Sequence, residues 1–423
     1  MIEIVPIKEL NSEITVPGSK YVANRVLIAA GLAERTSIIK NIPENDDINV
    51  AMGALKQFGV GINKENNILE IRGTDGEIKN PTEEINVHDS GTLMRFIISF
   101  AALSQGEVKI TGSKRIQQRP VGDLLKSLSD LGVNCKSLNK NCPPIVVEGG
   151  TFKGGITKIK GDVSSQFISS LLLISPYAEK DVEILIETDL VSKNYVDMTI
   201  CIMKQFGVSV ERQGYEKFIV KAGQKYSGKE FLIPADWSSA NYFLAAAAIV
   251  PGTVKINNLD MESEQESGFA DILAKMGCDI EKNISSIKVT GNSNLSGVEV
   301  DMSDMPDSVQ TLAVVSCFAK GITRIKNIAH LRYKESDRIN DTVKELQKLG
   351  IKAESKDNEL IIEGGDLTAA VIDSHNDHRM AMSFALVGLK VSGIKIKNPE
   401  CVNKSFPQFW DKLKEIDVEI KNV

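Results

Sequence analysis

Two hydrophobic rhythms alternate along the chain, and together they predict its elements. The first is an amphipathic helix that runs into a glycine and continues as two short strands of alternating apolar residues. Its copies read LKQFGVGI, LSDLGVNC, MKQFGVSV, LAKMGCDI, LQKLGIKA and LKEIDVEI. Gly59, Gly132, Gly207, Gly277 and Gly350 take the helix-ending position, which suits a residue in the left-handed conformation. Asp417 takes that place in the last copy. The positions recur at intervals of roughly seventy residues, the mark of an internal repeat.

The second rhythm is a polar loop that opens a helix apolar on nearly every side, followed by a strand. PGSKYVANRVLIAAGLAERTSIIKNI matches HDSGTLMRFIISFAALSQGEVKITG and DVSSQFISSLLLISPYAEKDVEILI. It also matches ADWSSANYFLAAAAIVPGTVKINNL, MPDSVQTLAVVSCFAKGITRIKNI and NDHRMAMSFALVGLKVSGIKIKNP. A helix without a polar face predicts burial on all sides. Six helix–strand–helix–strand–strand copies therefore account for nearly the whole chain. The sixth stops at VEIKNV without its last strand, while MIEIVPI supplies a spare strand at the other end. The expected division is a discontinuous domain of residues 1–15 plus 233–423, closed by the N-terminal strand, with an inserted domain of residues 16–232. The chain would cross near Pro17 and Pro234, and a ligand would sit in the cleft between. A tandem α/β array without closure is the alternative.

Size and composition fit this picture. The chain has 423 residues, too many for one ordinary core, with 42% hydrophobic and 25% charged residues. No apolar run reaches the roughly 20 residues of a membrane span, and the N-terminal segment lacks a signal-peptide pattern. The six cysteines show no C-x-x-C spacing and read as reduced thiols, so a cytoplasmic protein with no membrane partner is expected. A net charge of −6 argues against nucleic acid as a partner. Phosphate-loop, dinucleotide and zinc-protease motifs are missing, and only His375 and His378 lie close together, so no metal is expected.

Against this anionic background the cations are oddly placed. Ser19, Ser90, Ser164, Ser165, Ser238, Ser239, Asp307 and Asn376 stand at the six apolar-helix starts, where a capping side chain stabilises by about 1 kcal/mol. Lys20, Arg25, Arg95 and Arg379 stand there too, although the helix dipole disfavours cations at that end. A bound anion reverses the sign, because exposed N–H groups and a guanidinium fork then converge on one acceptor. In KESDR, Lys334 and Arg338 would share a face if helical, offset by Glu335–Arg338 and Lys334–Asp337 pairs. Arg119 and Lys404 lie in loops. Cationic loops from both halves predict a small ligand bearing phosphate and carboxylate groups.

The segments PGSKYVANR, DSGTLMR, QQRPVGDL, SSQF, SKNYVD, MPDSVQTLA, RYKESDR, NDHRMAM and NKSFP, in this order, resemble the 5-enolpyruvylshikimate-3-phosphate synthase family over essentially the full chain. The resemblance implies a two-domain inverse α/β barrel of six βαβαββ units, three per domain. It implies transfer of the enolpyruvyl group of phosphoenolpyruvate to the 5-hydroxyl of shikimate 3-phosphate by addition and elimination, without metal or cofactor. Carried over by position, shikimate 3-phosphate would meet Lys20, Tyr21, Arg25, Ser164, Ser165, Gln166, Ser192, Tyr195, Asp307, His330 and Lys334. Phosphoenolpyruvate would meet Lys20, Gly91, Arg119, Gln166, Arg338, Arg379 and Lys404. Asp307 resembles the base for the 5-hydroxyl, and Glu335, with Lys20, the acid for the methylene carbon. The chain departs from the family at Tyr21, often Ser, at His330, often Asn, and at Phe96, often Pro. A monomer is expected. The rival readings are UDP-N-acetylglucosamine enolpyruvyl transferase, RNA 3′-phosphate cyclase and a non-catalytic anion-binding protein. GSKRIQQRP lacks the reactive Cys of the first, and the net charge disfavours the second.

Overall fold

The structure, a computed structural model, describes residues 1–260, 266–291 and 294–423. The chain forms two compact units, one of Met1–Pro17 with Pro234–Val423 and one of Gly18–Ile233. Each has its own hydrophobic core.

Among the described residues the strands form six sheets, each of four strands and on one plan. In the sheet ordered Glu230–Leu232, Thr36–Lys40, Ile68–Arg72, Gly61–Glu65, the first pair is parallel and the next two are antiparallel. In four sheets the parallel first strand immediately precedes that sheet's apolar helix in the chain, whereas Glu230–Leu232 and Leu10–Thr15 are exchanged between the sheets of Thr36–Lys40 and Gly252–Asn257. In the sheet holding Val371–Ile372 and Ile394–Ile396, the third place goes to Ile2–Ile4, with Ile2 opposite Ile396 and Asn422. Leu10–Thr15 likewise leads a sheet, parallel to Gly252–Asn257.

The six apolar helices are Lys20–Leu32, Gly91–Ala101, Ser165–Ile174, Trp237–Ile249, Val309–Ser316 and His378–Ala385. All thirteen residues of Trp237–Ile249 are buried, and in Lys20–Leu32 all but Lys20. In the Gly18–Ile233 unit the three such helices pack on one another. In the other unit Val309–Ser316 packs on both its companions. Among the outer helices, Asp46–Gln57 has one wet face and obeys the dipole. It is capped by Asn45, with acids in its first turn and Lys56 in its last.

Glycine permits the close approach of sheet and inner helix. A Cβ on Gly291 would lie 1.9 Å from the Ala247 carbonyl oxygen, and one on Gly364 would lie 1.9 Å from that of Ala319. Gly73 and Gly149 hold the equivalent positions in two further repeats, against Ala33 and Ser104. Any side chain at these strand ends would drive the helix off its sheet.

Candidate active site

The residues marked by the sequence fall into two sets, one on each unit. In Gly18–Ile233 they gather at the N-termini of the three inner helices. Ser19 caps the first by accepting from the Val22 N–H at 3.4 Å, and Ser164 caps the third by accepting from Gln166 at 3.3 Å. Ser90 makes no such bond, and its hydroxyl is buried without a partner among the described residues. Lys20 pairs with Asp47 at 3.2 Å, and its ammonium lies 5.5 Å from the Tyr21 ring centroid. Tyr21 is buried with its ring edge-to-face against Tyr195, centroids 5.0 Å apart. Ser192, buried and left-handed at φ 56°, leads into the helix of Tyr195, and Ser165 is also buried.

Arg25 is buried among neutral groups. Its Nε donates to Thr199 Oγ1 at 2.6 Å, Nη1 to the Tyr21 carbonyl at 2.9 Å, and Nη2 to Ser169 Oγ at 3.3 Å and the Tyr195 carbonyl at 3.1 Å. Phe96 and Tyr195 lie under the guanidinium. Burial pulls its pKa down to about 10. Arg95 repeats the local device, with Nη1 donating to the carbonyl of Gly91 four residues back at 2.7 Å. At Gly91 a Cβ would lie 2.1 Å from Arg119 Nη1 and 2.7 Å from Arg95 Nη1. Glycine there lets two buried guanidinium groups reach one helix N-terminus. Gln166 bridges the second and third helices through Nε2 to Thr92 Oγ1 at 3.0 Å.

In the other unit the centre is Arg338, fully buried among three carboxylates. Nη1 donates to Asp307 at 2.6 Å, Nη2 to Glu335 at 3.0 Å, and Nε to Asp377 at 2.7 Å. Burial by itself would lower its pKa, but Asp377, Glu335 and Asp307 outweigh that and hold it far above the ordinary value. Arg379 Nε lies 3.0 Å from Asp307, while its Nη groups donate to Tyr242 and Ser238 at 3.0 and 3.1 Å. Lys404 closes on Glu335. Thus each of the two carboxylates expected to move protons is held by cations expected to hold substrate.

KESDR is not helical. The helix starts at Arg338, with Asp337 as its cap, accepting from Asn340 at 3.2 Å. Glu335–Arg338 forms as an ion pair, whereas Asp337 faces Arg332, and Lys334 closes the preceding 3₁₀ turn. Among the caps, Asp236 and Asp377 do the work expected of Ser238, Ser239 and Asn376, accepting from Ser239 and Arg379. Sequence reasoning passed over both, although Asp at a helix start is itself a capping signal. It also passed over Glu266, for which the sequence gives no signal.

His330 is buried, and burial followed by the Lys334 charge pulls its pKa down to about 3. The unfolded chain, with an ordinary imidazole near 6.5, therefore binds the proton more readily. His330 contributes stability that is full above about pH 6.5 and drains away as pH falls toward 3. Between about pH 7 and pH 5 the loss is about 2 kcal/mol. Urea midpoints of the wild type and His330→Asn should diverge less at pH 5 than at pH 7; a constant gap would disprove the assignment.

Among the described residues, no three His, Cys, Asp or Glu gather as a metal site, and no helix is long and apolar enough to cross a membrane. Among the described residues, six βαβαββ repeats, with buried cations at helix starts and carboxylates among them, define an α/β class of protein suited to small anions. The model of the EPSP synthase (3-phosphoshikimate 1-carboxyvinyltransferase) family matches residues 4–413. The chain belongs to that family. It is 40% identical over 419 residues to the 3-phosphoshikimate 1-carboxyvinyltransferase of Photobacterium profundum, covering 97% of each chain. It is 41% identical over 416 residues to that of Shewanella piezotolerans, again with 97% of each covered. A solved EPSP synthase structure from Acinetobacter baumannii matches with a TM-score of 0.85 at 28% identity, covering 100% of this chain and 99% of that one.

Proposed function

We infer that the chain transfers the enolpyruvyl group of phosphoenolpyruvate to the 5-hydroxyl of shikimate 3-phosphate, releasing phosphate, within the shikimate pathway. Arg119, Arg338, Arg379, Lys404, Gln166 and Gly91 take phosphoenolpyruvate. Arg25, Ser164, Ser165, Ser192, Tyr195, Tyr21, His330 and Lys334 surround shikimate 3-phosphate, and Lys20 meets both. Asp307 takes the 5-hydroxyl proton as O5 attacks C2, and Glu335 delivers a proton to C3. Breaking the C2–O bond to phosphate and removing a C3 proton then gives the enol ether.

The single observation that carries this reading is the Arg338 fork, shared by Asp307 and Glu335. An incoming substrate anion competes for that guanidinium, so binding frees the base and the acid together. The cations left in place stabilise the anionic intermediate with little reorganisation. The enzyme acts as a cytoplasmic monomer, a view supported by six free thiols and by both residue sets lying on one chain.

The test is phosphate release from phosphoenolpyruvate with either shikimate 3-phosphate or UDP-N-acetylglucosamine. Release with the shikimate ester alone is expected. Release only with the sugar nucleotide would overturn the reading, and release with neither would leave a binding protein. A second expectation concerns Gly91→Ala, whose methyl group would displace Arg119. It should lower kcat/KM for phosphoenolpyruvate by about ten- to a hundredfold with little change in the unfolding midpoint. A change under about twofold would remove Gly91 from the site.

A further inference from the structure

Glu266 lies outside the set of residues marked by the sequence, yet its side chain reaches the centre of that set. It is fully buried. Oε1 accepts the main-chain N–H of Asp307 at 3.2 Å, and Oε2 accepts the Ser308 hydroxyl at 2.5 Å. Both donors are neutral. Asn241 secures the arrangement, its amide donating to Ser308 Oγ and to the Glu266 carbonyl, each at 2.9 Å. Ser308 stands at the cap of Val309–Ser316 without making a side-chain cap bond. Glu266 therefore covers the helix N-terminus into which Asp307 leads, where negative charge is favoured.

We propose that Glu266 is a positioning residue for the enolpyruvyl transfer, fixing the backbone of Asp307 and, through its own charge, strengthening Asp307 as a base. The proposal rests on the reading of Asp307 as the group that takes the 5-hydroxyl proton. Glu266 exchanges no proton with substrate. Its part is electrostatic, since a second carboxylate nearby makes the first hold a proton more strongly.

The charges around the pair decide how it titrates. Asp307 meets Arg338 and Arg379, both of which favour its ionised form, and it also acts on Tyr242 and His330. Glu266 faces Asp307 and Arg379. Burial first, and the Asp307 charge second, push Glu266 up to about 7, against the hydrogen bond from Ser308 and the charge of Arg379. As pH falls through neutrality the Glu266–Asp307 pair takes up a proton, and the repulsion that sharpens Asp307 disappears. Turnover should therefore have an acid limb near pH 7 that belongs to the pair.

The pH dependence of kcat in the full-length wild type, Glu266→Gln and Glu266→Asp tests this. Glu266→Gln imitates the protonated form at every pH. It should lose the limb near 7 and run about three- to tenfold below the wild-type plateau. Glu266→Asp keeps the charge and should keep a limb. Should Glu266→Gln fail to fold, Ser308→Ala serves instead. Losing the hydroxyl that favours the ionised carboxylate should move the limb to higher pH. A purely structural Glu266 would lower activity equally at all pH values, leave the limb in place and overturn the proposal. Asp307→Asn separates the two readings. If it still turns over, the base assignment has failed. If it is inactive while Glu266→Gln keeps the wild-type limb, only the role of Glu266 has failed.

Discussion

Replacing Asp307 by alanine is expected to lower kcat by about a hundredfold or more, the usual range for a lost general base. Substrate binding should move the other way or stay put. Asp307 lies on Arg338 Nη1 and 3.0 Å from Arg379 Nε, so it engages two of the groups proposed to receive phosphoenolpyruvate. Removing it takes away the competitor, and KM for phosphoenolpyruvate should hold or fall. Steady-state kinetics with each substrate varied would show this split. A variant whose kcat stays within about threefold of the wild type would strike Asp307 from the mechanism, and a large rise in KM with kcat intact would make it a binding residue.

Arg338→Ala is the second large effect, and it strikes folding as well as chemistry. Three carboxylates converge on this buried guanidinium, and without it Asp307, Glu335 and Asp377 face one another with the cation gone. Removing one partner of a buried ion pair costs about 3–5 kcal/mol, because the remaining charge is stranded. A loss of that size in denaturant unfolding is expected, together with near-complete loss of turnover. Adding Asp377→Ala should return part of the stability, since it removes a carboxylate stranded by the first change. Additive losses would show that the Arg338–Asp377 pair is not an energetic unit. Arg338→Lys should recover less than the charge suggests, because an ammonium lacks the planar fork that serves three acceptors.

Much of the fold was legible because burial imposes period on sequence. The helix-ending glycines stand out, and all five carry positive φ, from 86° at Gly350 to 114° at Gly277. Helices apolar on every side announced their burial in the same way. The leading strands were harder to see, since Ile85–Asn86 and Val371–Ile372 are two residues long and too short to alternate. The cations at helix starts were visible as a conflict with the dipole. What holds them was not. The Arg25 cage draws on Thr199, Ser169 and Tyr195, and the Arg338 fork on Asp307 and Asp377. Such contacts join segments far apart in the chain, and no local pattern encodes them. Glu266 is the extreme case, one of three glutamates in MESEQES, whose place follows only from the packing of Asn241 and Ser308 around it.

The borrowed strands also set a timetable for biosynthesis. Every strand of the three sheets in Gly18–Ile233 lies between Thr36 and Leu232, so that unit can close as soon as this stretch has left the ribosome. Met1–Pro17 emerges before that unit and finishes after it. Leu10–Thr15 waits for Gly252–Asn257, and Ile2–Ile4 waits for Ile394–Ile396 and Ile420–Asn422. For most of synthesis these strands stay unpaired ahead of that unit, the kind of exposed edge that invites pairing with the wrong neighbour.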